Sequence, residues 1–186
     1  TLKPIGAFKL HQQLIRDIAI TSDTNKLLSA SYDGTVKIWD MAHNQNLFTF
    51  TGHSRQVYSV AINRDNTIVA SGDSNGEILV WELASGRIIQ KLESKPGVAI
   101  MRLVFDASGK FLISAGADNG NVTLWSTADW RSTELKSPLK YGTWGISLFS
   151  DDKKVAFTAG DNSGDINFAG TGKIKTDITS IIRKDE

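Results

Sequence analysis

The chain has 186 residues, a formal net charge of +1 and no cysteine. Its length suits one domain, and its 40% hydrophobic and 22% charged residues are typical of a globular protein. The near-zero charge gives no electrostatic reason to expect nucleic acid or a membrane as a partner, and the lack of cysteine excludes disulfides and thiolate-bound metals. No apolar run could span a membrane and the N-terminus lacks a signal-peptide pattern, so we expect a cytoplasmic location.

In chain order, the residues predict a repeated unit of about 43 residues. The clearest copy, at 29–40, predicts a short strand, a tight turn at Gly34 and a second strand that ends in Trp39-Asp40. The pattern returns at three further places, over 71–81, 114–125 and 158–168. The aromatic residues that end the four copies are 42, 44 and 43 residues apart: Trp39, Trp81, Trp125 and Phe168.

Alternating apolar residues and turn signals predict four short strands in each repeat. The first repeat predicts strands at 14–20, 27–31, 35–40 and 47–50, and the second at 57–62, 67–72, 77–81 and 87–92. The third predicts strands at 98–105, 111–115, 121–125 and 131–135, and the fourth at 144–149, 155–159, 165–168 and 173–178. No stretch favours a helix.

Four-stranded units that cannot bury both faces alone predict small antiparallel sheets stacked around an axis, an all-β propeller. We expect a single domain over 1–186. Its four blades should lie at about 11–51, 52–95, 96–138 and 139–182, and residues 4–10 should form an outer strand of an adjoining blade.

The chain resembles the WD40-repeat family in two residue pairs, Gly52-His53 and Trp39-Asp40. Sequences related to Trp39-Asp40 recur about 43 residues apart. The resemblance covers about residues 5–180. It implies a WD40-type propeller in which this chain supplies four blades of four antiparallel strands, half or a fragment of a ring of about seven or eight blades. The missing blades would come from a longer chain or from a second copy.

The resemblance also implies a structural hydrogen-bond network in each blade, formed by a His, a Ser, an Asp and the Trp. In the first repeat these are His11, Ser29, Asp33 and Trp39, and in the second His53, Ser71, Asn75 and Trp81. The third keeps Ser114, Asp118 and Trp125 but has Pro96 in place of His, and the fourth has Lys140, Thr158, Asn162 and Phe168. We therefore expect blade stability to decrease from the first repeat to the fourth.

The trio His11, Ser29 and Asp33 also has the composition of a hydrolase triad. No nucleophile-elbow pattern surrounds Ser29, and the same trio recurs one repeat later, which favours a structural role. The three histidines lack the spacing of a zinc site, and no cofactor or metal is expected. We therefore predict no catalytic residues and no enzyme activity.

WD40 propellers bind proteins or peptides, so the resemblance implies an interaction scaffold or sensor, a regulatory part of a larger protein or complex. The candidate binding face, formed by turns and by the starts of first strands, carries Arg16, Tyr32, Tyr58, Ser74, Met101 and Trp144. Several of these, Trp144 above all, could instead pack between blades. The alternative function is a propeller enzyme or small-ligand domain that uses the central channel, although the inner strands offer only Arg16, Asp17 and Arg102 as charges.

Overall fold

A computed structural model describes residues 11–117, 122–135, 142–148, 154–159 and 166–170. These residues form strands and turns without a helix, which confirms the all-β prediction. Accordingly, the described segments contain no helix that could cross a membrane. The strands form three four-stranded antiparallel sheets and one three-stranded sheet, and in each sheet neighbours follow chain order.

The first sheet consists of β1 (Ile15–Ile20), β2 (Lys26–Ser31), β3 (Val36–Asp40) and β4 (Gln45–Phe50). The second consists of β5 (Val57–Ile62), β6 (Ile68–Asp73), β7 (Glu77–Glu82) and β8 (Ile88–Glu93). The third consists of β9 (Ile100–Phe105), β10 (Phe111–Gly116), β11 (Val122–Ser126) and β12 (Ser132–Leu135). The fourth consists of β13 (Thr143–Leu148), β14 (Lys154–Ala159) and β15 (Ile166–Gly170).

Glycines make the turns between the second and third strands possible. Gly34 and Gly76 have φ angles of +83° and +93°, a left-handed conformation that residues with a side chain rarely adopt. A Cβ on Gly76 would also lie 2.4 Å from the carbonyl oxygen of Lys95. The turn between β6 and β7 therefore packs directly against the segment that leads to the third sheet.

The sheets stand side by side with their first strands adjacent. β1 contacts β5, β5 contacts β9, and β9 contacts β13, whereas β4, β8 and β12 lie at the opposite edges of their sheets. A row of first strands on one side is the arrangement found around the axis of a propeller.

Apolar side chains fill the space between neighbouring sheets. Between the first and second sheets the buried set includes Leu28, Val36, Val57, Val60 and Trp81. Between the second and third it includes Ile78, Val80, Leu103, Leu112 and Trp125, and between the third and fourth Ile113, Val122 and Ile146. Each sheet therefore completes its core only against a neighbour, as expected for a repeat protein.

On the face that the first sheet turns away from the second, the part formed by β1 is apolar and exposed. Ile15, Ile18 and Ile20 on β1 are 49%, 53% and 53% exposed. The corresponding positions on β5 include Val57 and Val60, which are 0% and 2% exposed because the first sheet covers them. The face of β1 thus has the chemical character of a blade surface that another blade would cover.

Two of the predicted strands, at 4–10 and at 173–178, lie outside the described residues. The boundaries proposed for the blades stay predictions.

Candidate partner-binding surface

The first sheet contains a hydrogen-bond network that joins a loop to two strands. His11 Nε2 lies 2.7 Å from Ser29 Oγ, and His11 Nδ1 lies 2.8 Å from Asp33 Oδ2. Trp39 Nε1 donates to the same Ser29 oxygen at 2.8 Å. Burial opposes ionisation of Asp33, but hydrogen bonds from Thr35, His11 and the backbone lower its pKa to about 2. The structure thus brings together the four residues that the sequence assigns to this network.

These distances are also those of a Ser–His–Asp triad, so access to the serine decides between the two roles. Ser29 is only 1% exposed, and its oxygen already accepts the indole N–H of Trp39. A nucleophile must reach its substrate, and this hydroxyl cannot. The trio therefore holds β2 and β3 to the loop that precedes β1.

The second sheet repeats the network with one difference from the sequence prediction. His53 Nε2 lies 2.7 Å from Ser71 Oγ, and Trp81 Nε1 donates to that oxygen at 3.1 Å. The carboxylate that faces the imidazole belongs to Asp73, whose Oδ2 lies 3.5 Å from His53 Nδ1. Asn75, expected in this role, is exposed in the turn and donates its backbone N–H to Asp73 Oδ1 at 2.8 Å. The buried end of β6 lies nearer the histidine than the turn does.

In the third sheet, Trp125 Nε1 donates to Ser114 Oγ at 2.8 Å, so the serine–tryptophan bond is kept there. Three further expected members of the third and fourth repeats lie outside the described residues, namely Asp118, Lys140 and Asn162. Thr158 and Phe168 lie on β14 and β15, but their side chains are outside the described part of the structure.

The residues proposed for partner binding share a structural position. Every first strand has a β-bulge near its start, and the bulged residues are Arg16, Tyr58, Met101 and Trp144. Beside the bulges, the N–H groups of Tyr32 and Ser74 donate to the carbonyls of Leu14 and Gln56 at 3.0 and 2.9 Å. We call the bulged starts of the first strands and the adjacent turns the rim. Because a bulge redirects side chains, the rim has the same backbone structure in each repeat but different residue types.

Tyr32 and Tyr58 form the best-defined part of the rim. Their rings stack at a centroid distance of 5.0 Å and an interplanar angle of 22°, although the residues belong to different sheets. Both rings are half-buried, and Arg16 beside them is exposed. The pKa of the Tyr58 phenol is raised above its ordinary value by burial and by a hydrogen bond with the Tyr32 hydroxyl. The charge of Arg16 opposes this increase. We name Arg16, Tyr32 and Tyr58 the tyrosine surface.

The other predicted contact residues contribute less. Met101 is only 7% exposed, so it offers little surface to a partner. Ser74 is half-buried next to the turn glycine. The side chain of Trp144 lies outside the described part of the chain.

A chain of polar contacts connects the first strands of three sheets. Asp17 Oδ2 accepts hydrogen bonds from Ser59 Oγ at 2.7 Å and from Val60 N at 3.1 Å. Ser59 Oγ in turn accepts the N–H of Leu103 at 2.9 Å, and Arg102 donates to Asp17 Oδ1. Two of the three charges that the sequence offers near the axis, Asp17 and Arg102, are thus paired with each other.

The chain matches the family model "WD domain, G-beta repeat" in three consecutive stretches, over 2–40, 44–82 and 86–126. The chain belongs to the WD40 family. The match covers three repeats, whereas the sequence predicted four blades of four strands, and the fourth sheet shows three strands within the described segments. Degeneration of the aromatic anchor to Phe168 removes the strongest family signal from that region.

Two proteins named apoptotic protease-activating factor 1 are similar to this chain. The rat protein is 28% identical over 158 residues, and the human protein is 33% identical over 157 residues. Each alignment covers 81% of this chain but 12% of the relative, so the chain spans about an eighth of the length of these relatives.

Sequence reasoning missed Asp73, the pairing of Asp17 with Ser59 and the stacking of Tyr32 on Tyr58. The Asp17–Ser59 pair had a detectable signal, because polar residues one repeat apart occupy the same position of successive first strands. The tyrosines occupy different positions of their repeats, so repeat alignment alone would not pair them.

Proposed function

We propose that this chain is a protein-interaction scaffold or sensor module that binds a protein or peptide through the tyrosine surface. The stacked Tyr32–Tyr58 pair is the observation that carries the proposal. Two aromatic rings held in a fixed orientation offer apolar area at little entropic cost, and their hydroxyls and Arg16 offer donors at its edge. Tyrosine and arginine are enriched at the energetic centres of protein interfaces.

A regulatory role within a larger protein fits the comparisons. WD40 domains generally serve as interaction modules, and the name of the two relatives describes activation of a protease in apoptosis. We infer for this chain only the general role, a regulatory module that recognises a partner. A cytoplasmic location, and the expectation of neither nucleic acid nor membrane as a partner, stay predictions.

Catalysis in the central channel is the weaker proposal. The side chain of Asp17 is 8% exposed and bonded to Arg102, so it is poorly placed to exchange a proton with a substrate. The hydroxyl of Ser29 is also buried.

The rival binding surface is a cavity of about 800 Å³ near the outer rim between the first and second sheets. Apolar residues that include Leu47, Phe48 and Ile89 line it.

The apolar face of β1 supports a second element of the proposal, the presence of further blades. Ile18 and Ile20 correspond to positions that the preceding sheet covers elsewhere in the chain. We infer that a blade from the same longer protein, or from a second copy, packs on this face and extends the ring.

A selection of random peptides displayed on phage against the immobilised chain tests the surface. Peptides that bind should lose at least about tenfold in affinity, or roughly 1.4 kcal/mol, for the variant Tyr32→Ala/Tyr58→Ala. The matched control, Leu47→Ala/Ile89→Ala, alters the rival cavity and should leave binding unchanged. The reverse pattern would assign binding to the outer cavity and overturn the proposal.

A further inference from the structure

The second sheet contains a buried polar atom whose partners are too distant. The His53 side chain is 0% exposed, and its Nδ1 has no hydrogen-bond partner among the described residues. Asp73 Oδ2 lies 3.5 Å away and Glu77 Oε2 lies 3.8 Å away, both beyond the usual range of N–H···O bonds. Leaving a buried ring nitrogen unsatisfied costs free energy, so this arrangement needs an explanation.

In the first sheet, the equivalent ring nitrogen of His11 has hydrogen-bond partners at close distance. His11 Nδ1 lies 2.8 Å from Asp33 Oδ2 and 3.3 Å from Thr35 Oγ1. In the second sheet Asn75 replaces the aspartate and Glu77 replaces the threonine. The substitutions add a carboxylate at the start of β7 and remove the close contacts with the Asp33 carboxylate and the Thr35 hydroxyl, which leaves the second histidine without a near partner.

A second pair of acidic residues adds to the unfavourable charge. Glu77 on β7 and Glu93 on β8 are direct cross-strand partners, a placement that is destabilising for like charges. Lys91 Nζ lies 3.7 Å from Glu77 Oε1 but is largely exposed and offsets this only in part. Asp73, Glu77 and Glu93 line one cavity of about 170 Å³, large enough for a cation and its waters.

We propose that His53, Asp73 and Glu77 bind a divalent cation of the zinc type. Each side chain offers one ligand atom, a ring nitrogen from His53 and a carboxylate oxygen from Asp73 and from Glu77, and these three atoms lie within 4.8 Å of one another. Zinc bonds of about 2.0–2.2 Å in a tetrahedron place the ligand atoms about 3.4 Å apart, close to the two nitrogen–oxygen distances observed. Imidazole nitrogen and carboxylate oxygen are both ligands that zinc accepts, and three protein ligands leave the fourth position open.

The hydrogen bond on the other side of the ring fits a metal ligand. With its Nε2–H donated to Ser71 Oγ at 2.7 Å, the imidazole presents the lone pair of Nδ1 to the carboxylates. Such a hydrogen bond from the second ring nitrogen fixes the orientation of metal-bound histidines. The ion would join the loop before β5 to the end of β6 and the start of β7, next to the bulge at Tyr58.

Titration of zinc chloride into the chelator-treated chain, followed by calorimetry, tests the site. We expect one ion per chain, and we expect Glu77→Gln to weaken binding by at least about tenfold. Glu77 is partly exposed, and its side chain makes no buried hydrogen bond to any of the described residues, so this variant should fold. The control is His43→Gln, because His43 is an exposed histidine 2.9 Å from Asp40 that could bind zinc weakly.

Nitrogen NMR of the three imidazoles gives a readout independent of affinity. Zinc should shift the Nδ1 signal of His53 and leave His11 unchanged, and in Glu77→Gln the same shift should require at least about tenfold more zinc. The proposal is overturned if zinc does not bind, if binding depends on His43 alone, or if His53 keeps both ring protons in excess zinc. In the last case, Asp73 and Glu77 would instead stabilise the positive charge of a protonated His53.

Discussion

Asp17 of the first sheet accepts a hydrogen bond of 2.7 Å from Ser59 of the second, one repeat further along the chain. Ser59 then accepts the backbone N–H of Leu103 in the third sheet. The same strand position therefore connects the first sheet to the second, and the second to the third, by a side-chain oxygen. Because the Asp17 side chain is 8% exposed, these bonds are protected from competition with water.

These hydrogen bonds between first strands predict that the sheets stabilise one another. Asp17→Ala should destabilise the chain by about 1–3 kcal/mol, since it leaves the Ser59 hydroxyl and the Val60 N–H without their acceptor. Combined with Ser59→Ala in a double-mutant cycle measured by urea unfolding, the coupling should be about 0.5–3 kcal/mol. Asp65→Ala, in an exposed turn, is the control. Additive effects of Asp17→Ala and Ser59→Ala would show that the sheets are not coupled here.

The serine–tryptophan network predicts a ranking of three matched substitutions. Ser29→Ala and Ser71→Ala each remove the partner of a histidine and of a tryptophan and should cost about 2–3 kcal/mol. Ser114→Ala removes one described bond, from Trp125, and should cost about 1 kcal/mol. Thermal or urea unfolding measures the order, with the exposed Ser54→Ala as the control. Equal losses at Ser71 and Ser114 would contradict the role assigned to His53.

Much of the fold could be predicted because its signals are local. Turn glycines such as Gly34 and aromatic anchors such as Trp39 define each unit by themselves. Contacts within the hydrogen-bond network were harder to predict. Asp73, and not the expected Asn75, faces His53 because it lies at the buried end of β6. Exposure at the rim depends on tertiary packing, since Arg16 is exposed and Met101 is buried at the same bulge position of their strands.

The lowered pKa of Asp33 predicts a loss of stability in acid. Its carboxylate has a pKa of about 2 in the fold and an ordinary value when unfolded, so ionised Asp33 stabilises the fold above about pH 4. That contribution should disappear as the pH falls from about 4 to 2. Asp33→Asn should therefore reduce the slope of unfolding free energy against pH in this window. Identical slopes for the two proteins would contradict the assigned hydrogen bonds.

The uncovered β1 face predicts self-association of this chain. Light scattering after gel filtration should give a mass above that of one chain, because isoleucines that a blade would cover are exposed. Ile18→Glu should restore the single-chain mass, whereas Ile88→Glu on the outer strand β8 should not. A species of twice the chain mass would favour a second copy as the partner, and larger species would favour blades of a longer chain. A monomer that Ile18→Glu leaves unchanged would contradict the role of this face.

The central claim is that partners bind the rim at the tyrosine surface. Hydrogen–deuterium exchange of the chain with and without a selected peptide tests it most directly, since the footprint needs no variant. The account predicts slower exchange at 30–34 and 55–58, where Tyr32 and Tyr58 lie, and no change at 45–50 and 84–89 beside the outer cavity. Protection confined to the outer segments would contradict it.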